Sequence, residues 1–250
     1  MIRKLRESGA LLNPPIVAPL QDGTERYMVL DGANRTTAIA EMGIPHIIAQ
    51  IVEPSSDAVE LRTWNHVLWG WETENFLSAV NGISGIKLHE IEEDEGLRKL
   101  WNRLALVWLQ TPDGNTYLAS GDDDLDLVQR LDLLNQIVDA YRFTAKLDRT
   151  RIRKVTALED VYKGLCALIV FPHFHIDEVI DLTSQGHLLP TGLTRFSVSP
   201  RALRINFPLD ELSCDKSLEQ KNAELQAWIN QQIASKSVRM YTEATVLFDE

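Results

Sequence analysis

Apolar positions near the start of the chain fall in short bursts separated by turn residues. Ile2 and Leu5 set a helical spacing that Gly9 and the Asn13-Pro14-Pro15 turn bring to an end. Ile16-Val17-Ala18-Pro19-Leu20 and Tyr27-Met28-Val29-Leu30 are apolar runs joined through Gln21-Asp22-Gly23-Thr24-Glu25, the pattern of two strands and a turn. Asp31-Gly32 follows directly, then a helical stretch from about Asn34 to Met42, closed by Gly43 and Pro45. His46 to Val52 predicts the next strand. The order strand, turn, strand, glycine turn, helix, strand predicts a compact α/β unit.

Further along, Leu125, Val128, Leu131, Leu134 and Val138 form the buried stripe of a long helix expected from Asp122 to Phe143. Cys166 to Phe171 predicts a buried strand and His175 to Thr183 a helix. Thr194 to Phe207 contains two strand-like runs split at Ser199-Pro200. Lys216 to Ser235 predicts a polar surface helix, and Val238 to Phe248 a closing strand. The acidic runs Glu90 to Glu95 and Gly121 to Asp126 read as solvated faces or helix N-termini. The fold class expected is α/β (α+β), divided into a phosphate-binding domain over 1–70 and a C-terminal α/β domain over 71–250.

Composition narrows this picture. The chain has 250 residues, of which 44% are apolar, enough for a real core. Against 25 basic residues stand 36 acidic ones, a net charge of −11 that repels a polyphosphate backbone. Broad, charge-driven DNA binding is disfavoured, although a local basic patch survives that argument. No apolar stretch has the length of a membrane span, and none follows the basic residues of Met1 to Glu7 as in a signal peptide. The expected location is the cytoplasm. Cys166 and Cys214, far apart, read as ordinary thiols, with no disulfide framework or cysteine zinc site to propose.

The segment Leu30-Asp31-Gly32-Ala33-Asn34-Arg35-Thr36-Thr37-Ala38 carries the chemistry. It sets a carboxylate at a strand end, a glycine in the turn and an arginine in the first helical turn. Free backbone amides and the positive end of the helix dipole face that turn, and Arg35 can fork onto phosphate oxygens. Asp31 competes with an anion there unless a cation such as Mg²⁺ lies between them. The residues alone also allow a bland reading, in which Arg35 pairs with Asp31 across the turn.

Other candidates have similar alternatives. Trp64 and His66 read on their own as core and surface residues, and Thr194-Arg195 as a sheet pair. His173, His175 and Asp177 fit a capping or surface role better than a metal site. Trp69 and Trp71 fit a core patch better than a base-stacking platform. There is no Walker A pattern and no protein-kinase catalytic-loop triplet.

Gly32, Arg35 and Ala38 match the Gly-x-x-Arg-x-x-Ala core of the ParB/sulfiredoxin superfamily, whose members bind nucleotide phosphates at this helix start. Ala33 stands where sulfiredoxins carry their cysteine, so sulfinic-acid reduction has no nucleophile. No helix-turn-helix follows, as one does in ParB partition proteins. Over nearly the whole chain the sequence resembles the free serine kinases, which include the kinase and regulator of staphylococcal siderophore clusters. The shared segments are Asp31 to Arg35, then Thr63-Trp64-Asn65-His66, then Leu189-Pro190-Thr191-Gly192-Leu193-Thr194-Arg195-Phe196, and last Met240-Tyr241-Thr242-Glu243.

The resemblance implies a ParB/sulfiredoxin-like nucleotide-binding unit with a C-terminal extension that completes a pocket. It also implies transfer of phosphate from ATP or ADP, with Mg²⁺, to free L-serine. Gly32, Ala33, Asn34, Arg35 and Thr36 would hold phosphates. Asp31 would be the catalytic and metal-binding carboxylate, and Trp64, His66, Thr194 and Arg195 would bound the amino acid. The sequence departs from the family in two places. Asn34 replaces the histidine usual before the arginine, and the family's catalytic acidic residue lies on a segment ahead of Met1. An upstream segment is therefore expected, and the chain as given is expected to bind nucleotide while transferring little phosphate. The alternative is a ParB-like nucleotide sensor or transcriptional regulator without catalysis.

Overall fold

The structure is a computed structural model that describes residues 1–241. The chain opens with α1 (Ile2–Ser8) and β1 (Ala10–Leu11), then β2 (Ile16–Pro19), β3 (Tyr27–Asp31), α2 (Ala33–Glu41) and β4 (Gln50–Ile51). Next come β5 (Val59–Thr63), β6 (Asn65–Trp69), α3 (Thr73–Asn81), β7 (Lys87–Glu90), α4 (Glu93–Trp101), β8 (Val107–Gln110) and β9 (Thr116–Ser120). The long helix α5 (Leu127–Tyr141) leads to β10 (Lys146–Thr150), β11 (Leu165–Val170), α6 (Ile176–Ser184) and β12 (Thr194–Val198). Finally β13 (Phe207–Pro208), α7 (Leu209–Ser213) and α8 (Leu218–Ala234) follow. This is the α/β class expected. Among the described residues no helix is long and apolar enough to cross a membrane.

The chain divides into two interleaved units. The smaller comprises Met1–Pro15, Gly32–Gln50 and Ala202–Glu250. Its core joins Leu5 and Leu11 to Ala38, Ile39 and Ile48 and to Phe207, Leu209 and Leu212, with Trp228 of α8 edge-on to Phe207. β1 pairs antiparallel with β13. α1 ends where Gly9 takes the left-handed conformation (φ 62°) and its amide returns to Leu5 O, the glycine stop read from the sequence. α8 starts on a capping box between Ser217 and Gln220.

The larger unit comprises Ile16–Asp31 and Ile51–Arg201. Its six-stranded sheet runs β10-β6-β11-β8-β9-β7, with antiparallel pairing throughout. Helices α3 and α5 cover one face through Phe76, Val80, Leu134, Ile137 and Tyr141. Leu100 of α4 and the 3₁₀ turn Val155–Ala157 cover the other around Trp108. Gly96 admits Trp108 to that face, since a Cβ there would lie 2.6 Å from the indole Cδ1. A second cluster packs Leu20, Met28, Val179 and Ile180 with Leu30, Leu61 and Phe196, which ties β3, β5, β12 and α6 together.

Several boundaries move relative to the sequence reading. The division expected at residue 70 falls inside the larger unit. β6 ends beside it yet pairs with residues 146–150 and 165–169, so sheet pairing holds the region together across long separations. The strand expected from His46 to Val52 is only Gln50–Ile51, because Ile44, Ile47 and Ile48 pack sideways into the smaller core. The long helix begins at Leu127, capped by Asp126 with Gln129, so Leu125 lies ahead of it rather than on its stripe. The closing strand expected from Val238 to Phe248 lies mostly outside the described residues, as do Thr242 and Glu243.

Candidate functional site

In the smaller unit the turn expected to hold phosphate is built on one glycine. Gly32 caps α2 with φ 95° and ψ 19°. A Cβ there would lie 2.7 Å from Arg35 Nη2 and 2.9 Å from Pro15 Cβ, so Arg35 curls back over the glycine and the position excludes any side chain. Gly32 O accepts from the amides of Arg35 (2.9 Å) and Thr36 (3.0 Å) and from Thr36 Oγ1 (3.2 Å). Ala33 and Asn34 stand ahead of that first bond, where helical amides have no partner within the helix. No acidic residue occupies the first turn to offset the helix dipole. Asn34 lines an open groove of about 500 Å³ with Met1, Ile2, Arg3, Thr37, Ala38 and Glu41.

Asp31 ends β3 in the larger unit, opposite Ile16 in the β2–β3 ladder. Its Oδ2 accepts from Nη2 of Arg201, and both side chains are about two-fifths exposed (41% and 39%). Arg201 is a residue the sequence reading missed, since it stands 170 positions away with no motif around it. It offsets part of the negative charge of Asp31.

The segments around Trp64 and Arg195 meet in the larger unit. β5 and β12 form an antiparallel ladder in which Thr194 faces Thr63 and Arg195 faces Arg62. Leu61 and Phe196 point into the core, so the alternate positions Arg62 and Arg195 share the outer side. The Trp64 amide donates to Leu193 O (2.8 Å), and the Arg195 guanidinium sits 4.7 Å from the centroid of the Trp64 ring.

His66 stands apart from the Trp64–Arg195 contact. Its side chain is fully buried, edge-on to Phe171, with Nδ1 2.7 Å from Tyr141 Oη and Nε2 3.3 Å from Gly192 O. A carbonyl only accepts, so Nε2 carries the hydrogen and Nδ1 accepts from the tyrosine. Burial, with a smaller push from the Arg149 charge, holds its pKa down to about 4 against the opposing Gly192 bond. The substrate contact expected of His66 is thus corrected: a neutral histidine with both nitrogens engaged supports the Gly192 turn from beneath.

His173 stacks on Trp101 at 4.7 Å, and His175 caps α6 with its amide bonded to Glu178 Oε2 (2.8 Å). Trp71 meets Phe76 edge-on and Trp69 tilts against Tyr162. Among the described residues, no three His, Cys, Asp or Glu side chains group so as to hold a metal.

The fold places the chain beside solved kinase structures. It superposes on SbnI with C-terminal truncation from Staphylococcus aureus with a TM-score of 0.72 and 20% identity, covering 93% of this chain and 87% of that one. A free serine kinase variant in complex with ADP superposes with a TM-score of 0.67 and 20% identity, covering 84% of each chain. The chain therefore has the α/β fold of the free serine kinase structures.

In sequence, it is 25% identical over 246 residues to the ATP-dependent L-serine kinase SbnI of Staphylococcus aureus, covering 95% of this chain and 84% of that protein. An ATP-dependent L-serine kinase of Staphylothermus marinus is 33% identical over 99 residues, 40% of this chain and 38% of that protein. No protein-family model matches the chain.

Proposed function

We propose that this protein is an ATP-dependent kinase that converts free L-serine to O-phospho-L-serine. The observation that carries the reading is likeness to a protein of that name along 95% of the chain. The Gly32 turn and the Trp64–Arg195 contact, with the chemistry each needs, support it.

In this reading the smaller unit binds nucleotide phosphate. Arg35 forks onto phosphate oxygens, while the Ala33 and Asn34 amides and the Thr36 end of the first turn present the positive end of α2. The larger unit binds the amino acid, with Trp64 as a wall and Thr194 and Arg195 as its polar contacts. The serine hydroxyl oxygen forms the new bond to the terminal phosphorus. The bond from that phosphorus to the bridging oxygen breaks, ADP leaves with the electron pair, and the Asp31 carboxylate takes the hydroxyl proton. Alignment and charge stabilisation supply most of the rate in such a transfer.

Mg²⁺ fits the residues present. Asp31 is a part-exposed carboxylate already paired with Arg201, and with no acidic cluster among the described residues the ion would share that one group with the guanidinium and take its other ligands from phosphate oxygens and water. When bound with the nucleotide it neutralises phosphate charge.

Incubation with L-serine and ATP, with ADP in parallel as donor, tests the reading by mass spectrometry. O-phospho-L-serine forming with ATP is expected with Asp31 as the proton acceptor, an outcome that would overturn the sequence-based expectation of little transfer. Nucleotide binding without product from either donor defeats it.

A further inference from the structure

A second guanidinium reaches the turn that launches β12. Arg149 lies opposite His66 in the β10–β6 ladder. Its stem rests on Gly192, where a Cβ would lie 3.2 Å from Arg149 Cδ and 3.8 Å from Nε. Gly192 adopts φ 83°, which itself excludes most side chains. The next residue, Leu193, takes the Trp64 amide, and two positions further Arg195 covers the Trp64 ring. Arg149 and Arg195 thus flank one short turn with Trp64 beside it.

The charge of this surface opposes that of the whole chain. Arg62 stands opposite Arg195, and Arg151 follows Arg149 at the next alternate position. Glu60 is the acid of the group and pairs with Arg62 at 2.6 Å. Among the described residues no carboxylate forms an ion pair with Arg149 or Arg195. Asp148, adjacent in sequence, uses Oδ1 for the Arg149 amide (2.7 Å) and Oδ2 for the Tyr162 hydroxyl (2.8 Å). In a protein of net charge −11, two arginines flank this turn with no ion-paired carboxylate among the described residues, Asp148 acting on Arg149 through its charge alone, and such a pair suits an anion.

We propose that Arg149 joins Arg195 in gripping the α-carboxylate of the amino-acid substrate, and so determines that the protein takes a free amino acid rather than a decarboxylated amine. This rests on the kinase reading for the identity of the substrate. A planar carboxylate offers two oxygens to two forked donors, and an amine alcohol offers neither. Loss of one such bond leaves the other arginine to hold the ligand.

Calorimetric titration of the full chain with O-phospho-L-serine, L-serine and O-phosphoethanolamine tests it. Arg149→Ala is expected to weaken both serine ligands about tenfold to a hundredfold while leaving O-phosphoethanolamine unchanged. Arg149→Lys, which keeps the stem on Gly192 and one charge, should recover part of the loss and serves also if the alanine variant is unstable. Equal weakening of O-phosphoethanolamine would mean that Arg149 reads the phosphate, and unchanged serine affinities would mean that it only packs on the turn. Either result overturns the inference. An Arg149-dependent preference for carboxylate without any O-phospho-L-serine product supports it and defeats the kinase reading alone.

Discussion

The two candidate binding regions are made in opposite ways. The turn proposed to hold phosphate is written in five consecutive residues, Gly32 to Thr36, and its geometry follows from one glycine and the start of one helix. The wall proposed for the amino acid brings Trp64 to Arg195 across 131 positions, and its geometry follows from a ladder, a turn and a buried histidine. The first should tolerate change anywhere except at its own residues. The second should respond to changes in the layer beneath it.

The sharpest break comes at Gly32. Gly32→Val places a side chain where Arg35 and Pro15 already lie, at a φ that β-branched residues avoid. Nucleotide affinity should fall by more than about a hundredfold, the effect of about 3 kcal/mol or more. Serine-ligand affinity should hold within about twofold. Titration with each ligand checks this, and parallel losses would erase the contrast between the regions.

His66 tests the wall from below through pH. Its folded pKa of about 4 lies below the usual 6.5, so between these values the unfolded chain binds a proton that the folded chain does not. The stabilisation is complete above about pH 6.5 and is lost as pH falls towards 4, by up to about 3 kcal/mol. Urea unfolding across that range should show the slope, and His66→Gln should flatten it. His173, also held down by burial but exposed in part, should give a smaller slope of the same sign.

Arg35→Ala should weaken nucleotide binding by about 1.5–3 kcal/mol, the scale of a charge-assisted hydrogen bond, and leave serine ligands alone. Unchanged nucleotide affinity with the fold intact would make Arg35 a structural cover for Gly32. The smallest effect expected is at Trp64→Leu, which keeps the apolar bulk but removes the ring beneath Arg195. Serine-ligand affinity should fall by about 0.5–1 kcal/mol, and no change would place the contact outside the wall.

The same contrast governs what was legible in the sequence. Gly9, the β2–β3 pair and the Asp31-Gly32 turn were visible because each signal is spent within a few residues of its cause. On its own segment His66 reads as a surface residue, and only the family resemblance brings it to the amino acid. Its burial depends on Tyr141 and Gly192, which no local pattern reveals. Arg149 and Arg201 carried no signal at all, since one is defined by a turn 43 positions ahead and the other by a strand end 170 positions behind. Between residues 53 and 121 no strand or helix is read from the sequence, and for β8 the reason is related: it is buried at every position, so it has no alternation to read.

The interleaving of the two units has a consequence for how the protein is made. The chain passes between them after Pro15, Asp31, Gln50 and Arg201. On a ribosome α2 is finished early, but the Phe207, Leu209 and Leu212 side chains that close its core emerge only in the last fifth of synthesis. Until then the apolar side of α2, with Ala38 and Ile39, has no complete seat, and the half-made unit offers that surface to aggregation or to chaperones. Nascent chains stalled before residue 202 should therefore show protease-sensitive cleavage around α2 that disappears once α7 and α8 have been released.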